Sequence, residues 1–481
     1  MRSLTLLLRT IALAGLVALA FGACSGSSPK SAKPKRTVLY SQYDDARVGR
    51  EGSEEVARSI GVVEDPELDA YVNEIGRKLL RGVPRSNFQY QFKVVDQYEP
   101  NAFALPGGYI FISRGLLVLT NDEDEIANVI GHEITHSARR HAAAQQALAR
   151  HSSPLSMPWT RAATMAAYGR DMEREADRGG QMLAAAAGYD PMGMSTFLKS
   201  LGQMERFILG FKRLPTFFDT HPGSPERAAG NAARANEIRW KRDASLGDTR
   251  MAHLRHIDGL ALEQRPESGI FVGDRFLHPD LDFQLRFPRG WTTNNSAQAV
   301  GAMAPRRDAI VFLTVDLPKG DPREIAQLFV EKTREEQPVE VKEWGPVKVG
   351  HIDGWRVHLE NQGRGGRVVM ITTLFPYGDA TWRITGMTPA SSLRKYSGAL
   401  LNTSRSFRPL TREDRDSIES KRLRLVTAQA GEDLVALGRR TGNAWDPGQT
   451  AVVNGVFVNH RFEGGETVKI ARVEPYRSSA R

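Results

Sequence analysis

His132-Glu133-Ile134-Thr135-His136 sets two imidazoles four residues apart with a carboxylate next to the first. On a helix, residues four apart lie one turn above each other on the same face. Two imidazoles so placed can hold one zinc ion at about 2.0–2.1 Å. Glu133 stands one position round the helix, where it can accept a proton from metal-bound water without being a ligand. The spacing therefore supplies two metal ligands and a base in one turn, the parts that metal-assisted hydrolysis needs. A five-residue pattern is common by chance, so its surroundings decide. Ile126, Val129 and Ile130 precede it at helical spacing, with no Gly or Pro before Gly131.

Two histidines leave a third ligand to find. One class of zinc peptidase, the metzincins, takes a histidine ten residues after the first, but that position is Ala142, which excludes the class. The later run Asp171-Met172-Glu173-Arg174-Glu175-Ala176-Asp177 supplies carboxylates from a second helix, with Glu173 and Glu175 both candidates.

With these residues in view, four segments in order resemble the M48 family of zinc metallopeptidases. They are Asn101 to Gly108 (NAFALPGG), Gly131 to His136, the run Glu173-Arg174-Glu175-Ala176-Asp177-Arg178 with Gly180, and His221-Pro222-Gly223-Ser224-Pro225-Glu226-Arg227. The likeness spans roughly residues 45 to 240, and four ordered motifs are specific where one is not. It implies a mainly helical, zincin-type peptidase domain with one zinc ion per subunit. Its register favours Glu173 over Glu175, so the implied ligands are His132, His136 and Glu173, with Glu133 as base. Asp177, one turn beyond Glu173, is implied to hydrogen-bond a ligating imidazole and fix its tautomer. His221 is expected to reach the zinc, either stabilising the oxyanion or filling the open position as a self-blocking ligand. Arg227 is expected to orient that loop or bind substrate backbone, and Asn101 to position substrate or its own loop. His141, five residues after His136, reads as surface or packing. Tyr109 to Ser113 is a candidate strand edge for an extended substrate.

The elements that must position these groups follow from pattern. Asp65-Pro66 reads as a helix cap and first turn, with Leu68, Tyr71, Val72, Ile75 and Leu79 recurring at helical spacing. Phe88, Tyr90, Phe92 and Val94 alternate as a strand does, Asn101 to Gly108 reads as a turn, and Tyr109 to Ser113 as a second strand. The catalytic helix is expected from Asp122 to about His141, and the acidic one from about Asp171 to Ala187, where Gly188 ends it.

The chain has 481 residues, enough for two or three domains, with 41% hydrophobic and 25% charged residues, an ordinary globular balance. We expect an α+β multidomain chain: a signal peptide at 1–24, a flexible tether at 25–43, the peptidase domain at 44–240, a linker at 241–268, an α+β domain at 269–413 and a small module at 420–475. The 269–413 segment is loosely similar to the Mog1/PsbP α/β fold through Phe287-Pro288-Arg289-Gly290-Trp291 and Ser404 to Leu410. The 420–475 segment resembles LysM, a βααβ module, through Leu423 to Thr427, Gly431-Glu432-Asp433-Leu434, Asn454-Gly455 and Phe462 to Ile470. That resemblance implies binding to peptidoglycan glycan.

The net charge of +9 is dispersed among acids, which suits a solvated surface and argues against nucleic acid as a partner. The single cysteine, Cys24, follows Arg2, Arg9 and an apolar run too short to span a bilayer. It resembles a bacterial lipoprotein signal, with lipid on Cys24 and Ser25 after it suggesting the outer membrane and a lipid anchor as the membrane contact. No intrachain disulfide is possible. Proteins or peptides are the expected substrates, with envelope quality control as the role; a tethered chaperone or wall-binding scaffold is the alternative.

Overall fold

The computed structural model describes residues 42–83, 88–143, 169–208, 217, 221, 224–296, 299–363 and 366–476. The signal peptide, Cys24 and nearly all of the tether lie outside them. The chain is a mixed α/β multidomain protein whose described residues divide into two units: 42–263 together with 420–474, and 264–419 together with Pro475 and Tyr476.

The first unit is built around one buried helix. Helices α1 (Gln42–Ser59) and α2 (Pro66–Leu80) lead to strands β1 (Gln91–Val95), β2 (Ala102–Leu105) and β3 (Tyr109–Ser113). Asp65 caps α2, accepting from the Glu67 and Leu68 backbone N–H groups. After α3 (Arg114–Leu119) comes α4 (Glu123–Ala138), capped by Asp122, whose Oδ1 accepts from Glu125 N at 2.8 Å. Every residue of α4 through Ser137 is buried, with Ile126, Val129, Ile130 and Ile134 fully so. Truncating one of the three isoleucines to Ala would cost about 2–5 kcal/mol. Helices α5 (Arg170–Ala186) and α6 (Gly193–Ile208) pack against it, and α7 (Ser224–Glu237) packs on those two.

Three sequence expectations change here. Asn101 to Gly108 is not all turn: the apolar run Ala102–Leu105 forms β2, and the reversal narrows to Gly107 and Gly108, both at positive φ. Tyr109–Ser113 is not an edge. The sheet order is β1-β3-β2, so β3 is the central strand, parallel to β1 and antiparallel to β2, with its backbone groups used on both sides. The segment read as a linker is also not loose chain. It contains α8 (Thr249–Ile257), with His253, Leu254 and Ile257 buried in the unit's core. Buried Arg114 ties down the chain beyond it by bonding the Ala261 and Glu263 carbonyls.

The second unit is mainly antiparallel sheet. Strands β4 (Ile270–Val272), β5 (Arg275–His278) and β6 (Phe283–Arg286) join a four-stranded sheet closed by β14 (Arg408–Pro409). Strands β7 (Thr292–Asn295), β8 (Val300–Met303), β9 (Ile310–Pro318), β10 (Val339–Val349), β11 (Ile352–Gly363), β12 (Gly366–Tyr377) and β13 (Ala380–Pro389) form a seven-stranded sheet, order β10-β11-β12-β13-β9-β8-β7. Alternation sorts its faces. Ile310 and Phe312 join the core under α9 (Pro322–Glu336), and Val311 and Leu313 join the opposite core with Leu400 of α10 (Leu393–Arg405). Helix α11 (Arg412–Asp416) follows β14.

The chain then returns to the first unit. Strand β15 (Glu419–Thr427), helices α12 (Leu434–Thr441) and α13 (Pro447–Asn454), and strand β16 (Thr467–Pro475) make the βααβ order anticipated for the last module. The segment does not stand apart from the catalytic helix. Leu423, Val452 and Val453 belong to the same core as Ile126 and Val129. Lys469, fully buried on β16, donates to the Val118 and Thr120 carbonyls at 2.8 Å each, directly before α4.

Candidate metal centre

Helices α4 and α5 meet through glycines, and that contact brings the ligand candidates together. A Cβ on Gly180 would lie 2.7 Å from His132 N and 2.8 Å from Asn128 O, and one on Gly131 would lie 2.9 Å from Gly180 O. With neither side chain present, the axes approach closely and Glu173, two turns before Gly180, faces the histidines. Its carboxylate lies 3.4 Å from His136 Nε2 and 3.6 Å from His132 Nε2, whose nitrogens are 2.9 Å apart.

His221 completes the group. Its Nδ1 lies 3.0 Å from both Glu173 oxygens and 3.3 Å from His132 Nε2, and its Nε2 lies 3.5 Å from Glu133 Oε1. The ligand atoms of His132, His136, Glu173 and His221 all fall within 4.8 Å of one another, and all four residues are buried. A tetrahedral ion with bonds of about 2.0–2.1 Å has ligand-to-ligand edges of about 3.3 Å, so the spacing fits a metal. Three imidazoles and a carboxylate converge here, a donor set suited to zinc, and both Glu133 oxygens are buried beside it without a hydrogen-bond partner.

A second layer holds the first in place. His132 Nδ1 is 3.0 Å from Asp177 Oδ1, which leaves Nε2 as the lone-pair nitrogen facing the cluster. Asp177 is gripped by Arg227 through Nε at 2.9 Å and Nη2 at 2.6 Å, and Asn231 Nδ2 donates to it at 2.9 Å. Arg227 Nη1 also reaches Glu173 at 2.9 Å and donates to the His221 carbonyl at 3.1 Å, so one guanidinium ties α5 to the loop carrying His221. His136 Nδ1 is 2.8 Å from His141 Nδ1, and Phe217 stacks on the His221 ring with centroids 4.3 Å apart.

The electrostatics follow from burial and these neighbours. Burial pushes the Glu133 carboxyl up, against the pull of His221 and His132, which suits a group that must accept a proton. Burial would raise Glu173 too, but His221, His136 and His132 outweigh it and hold this carboxylate well below the usual range. Arg227 and His132 do the same for Asp177. Burial, reinforced by His132, keeps His136 neutral, the form that ligates metal. Burial opposes protonation of His221, but Glu173 and Glu133 prevail and raise it.

The structure thus brings together His132, Glu133, His136, Glu173, Asp177, His221 and Arg227. Glu175, the competing carboxylate, faces outward and pairs with Arg139 at 3.0 Å. Asn101 is buried next to β2, its backbone N–H donating to Ser113 Oγ at 2.8 Å and its amide reaching Gln97 at 3.4 Å. Arg227 is engaged with Asp177, Glu173 and the His221 carbonyl. His141 and Asn231 were not marked as site residues by spacing. His141 lies beyond the helix end, where Arg140 at φ 52 turns the chain back; Asn231 lies one turn after Arg227, a signal that spacing did carry.

Comparison with known proteins bears on this geometry. Residues 66–234 match the model of peptidase family M48. The chain is 28% identical over 221 residues to the beta-barrel assembly-enhancing protease of Yersinia pestis, covering 41% of this chain and 45% of that protein. It is 29% identical over 193 residues to the mitochondrial metalloendopeptidase OMA1 of Schizosaccharomyces pombe, covering 36% and 55%. The chain therefore spans about half the length of the curated relatives it matches. Among solved structures, cyanobacterial PsbP from Synechocystis sp. PCC 6803 aligns with a TM-score of 0.25 and 8% identity, over 29% of this chain and 95% of that one. The two-helix cluster and its supporting layer lie inside the matched segment, and residues 66–234 are a domain of peptidase family M48.

Proposed function

We propose that this protein is a zinc-dependent endopeptidase that cuts exported or misassembled proteins of the bacterial cell envelope. The observation that carries the reading is the convergence of His132, His136 and Glu173 with Glu133 buried beside them. Bound there, one zinc ion per subunit supplies Lewis-acid polarisation of a carbonyl and an acidified water. Glu133, with its raised carboxyl, accepts the proton and delivers it to the leaving amine. Asp177 holds His132 in the ligating tautomer, and Arg227 holds Asp177 and Glu173 in register. The envelope assignment draws on the relative from Yersinia pestis, whose name ties it to β-barrel assembly.

His221 sets the resting state. A catalytic zinc site keeps one position open for water or substrate. Held together with His132, His136 and Glu173, His221 would take that position, and its Nε2 lies 3.5 Å from Glu133 Oε1, so it would block both metal and base. That favours a second reading: a tethered chaperone or wall-binding scaffold that cuts rarely. In both readings lipid on Cys24 anchors the chain to the outer membrane; among the described residues no helix is long and apolar enough to cross a membrane. We assign residues 269–413 as a Mog1/PsbP-like binding or spacing domain and 420–475 as a LysM-like module with affinity for peptidoglycan glycan, the latter supported by its βααβ order.

The test uses residues 25–481, with bound zinc measured by metal analysis and casein cleavage compared between wild type and Glu133→Gln. The endopeptidase reading expects one zinc per chain in both proteins and cleavage only in the wild type. Cleavage that survives Glu133→Gln, or a chain that takes up no zinc, would sink it.

A further inference from the structure

The second unit carries a cavity of about 680 Å³ where the β10–β11 and β12–β13 turns meet β14. That volume is in the range of sites for small molecules and short peptides, about 300–1,000 Å³. Val349, Tyr377 and Phe407 give it an apolar wall, with Val349 and Phe407 each 1% exposed. Lys319 and Arg405 stand at its rim, and no Asp or Glu is among the lining residues. Arg408 also lines it, but its charge is met by Asp414 at 2.6 Å. Arg405, by contrast, reaches the neutral Asn402 Oδ1 at 3.4 Å. Gln284 contributes from β6 and is 5% exposed. Its Nε2 donates to the Ser406 carbonyl at 2.7 Å, which fixes the amide, and its buried Oε1 has no hydrogen-bond partner.

We propose that this cavity binds the carboxyl terminus of an apolar peptide. The terminal carboxylate sits between Lys319 and Arg405, where two cations face no acidic side chain. The last side chain lies on Tyr377 and Phe407. A backbone N–H next to the terminus donates to Gln284 Oε1. A fatty acid shares the carboxylate and the apolar body but brings no donor for that oxygen, so the unpartnered acceptor favours peptide over lipid. The site belongs to a different unit from the metal cluster, and the inference does not rest on the peptidase reading.

The experiment uses the full mature chain carrying Glu133→Gln, so the probe is not cut. Fluorescence anisotropy follows a fluorescein-labelled pentapeptide ending in Ala-Leu-Phe, with a free carboxyl end or an amidated one. The free acid should bind at least tenfold tighter than the amide, and Lys319→Gln and Arg405→Gln should each weaken it about fivefold or more with unchanged thermal melts. Both are exposed rim positions, so these variants fold even if Gln284→Leu does not. Where Gln284→Leu folds, it should weaken the peptide and leave dodecanoate unaffected. Equal binding of acid and amide, indifference to both rim substitutions, no binding at millimolar peptide, or dodecanoate binding as tightly as the peptide would each overturn the proposal.

Discussion

Arg227 holds Asp177 by both carboxylate oxygens, at 2.9 and 2.6 Å, and with the same guanidinium reaches Glu173 at 2.9 Å. One side chain on α7 therefore sets the position of a candidate ligand and of the group that orients another. Lys could not copy this, because a single ammonium lacks the planar fork. Arg227→Lys is expected to lower zinc affinity about 10–100-fold, the usual effect of removing a partner behind a ligand. Competition with a chromophoric chelator reads this directly, and an unchanged affinity would mean that the fork is structural only.

His221→Ala removes the ring that lies 3.0 Å from Glu173 and 3.5 Å from Glu133, and with it the proposed block. Casein cleavage should rise by about tenfold, equivalent to about 1.4 kcal/mol of self-blocking, while bound zinc stays near one per chain. A fall in cleavage with zinc retained would instead assign His221 to stabilising the reaction.

Gly180→Ala puts a methyl where His132 N would be 2.7 Å away. Backbone cannot yield as a side-chain tip can, so α4 and α5 must separate, taking Glu173 from His132 and His136. Zinc affinity should fall more than tenfold, with the effect smaller for Gly230→Ala, where a Cβ meets open space. Equal affinities in the two variants would contradict the close-packing account.

Lys469→Met tests whether the last module supports the catalytic helix. The ammonium donates to the Val118 and Thr120 carbonyls and faces Glu125 and Asp122; burial lowers the lysine and raises Glu125. Leaving those two buried carbonyls without their donor costs about 1–3 kcal/mol. At about 2–4 °C per kcal/mol, the melting temperature should fall by roughly 2–12 °C. A melt within a degree of wild type would show that the module is docked without contributing.

The pH dependence of stability should carry a signature of His253. Burial, reinforced by Lys469, pulls it down to about 3, while the unfolded value is near the ordinary 6.5. Between those values the unfolded chain binds the extra proton, so stability rises with pH. The contribution is fully present above pH 6.5 and declines toward pH 3, by about 1.4 kcal/mol per pH unit. His136, His141 and His278 are lowered as well, so the readout is the difference in slope between wild type and His253→Gln in urea melts from pH 4 to 7. Identical slopes would refute it.

The chemistry was legible in the sequence because its parts are local. Helical spacing alone sets His132 and His136 on one face with Glu133 beside them, and the second helix carries Glu173 and Asp177 four apart. The cap at Asp65 and the strand Tyr109–Ser113 were equally readable, since each is decided by neighbours in the chain. Which carboxylate faces the histidines was decided by packing. Gly131 against Gly180 sets the approach of two helices, and that contact turns Glu173 inward and leaves Glu175 in solvent. The central place of Tyr109–Ser113 in its sheet, the burial of Thr249–Ile257, and the insertion of Lys469 before the catalytic helix are likewise long-range pairings. Periodicity reports which side of an element is apolar, but it carries no information about the distant segment that covers that side.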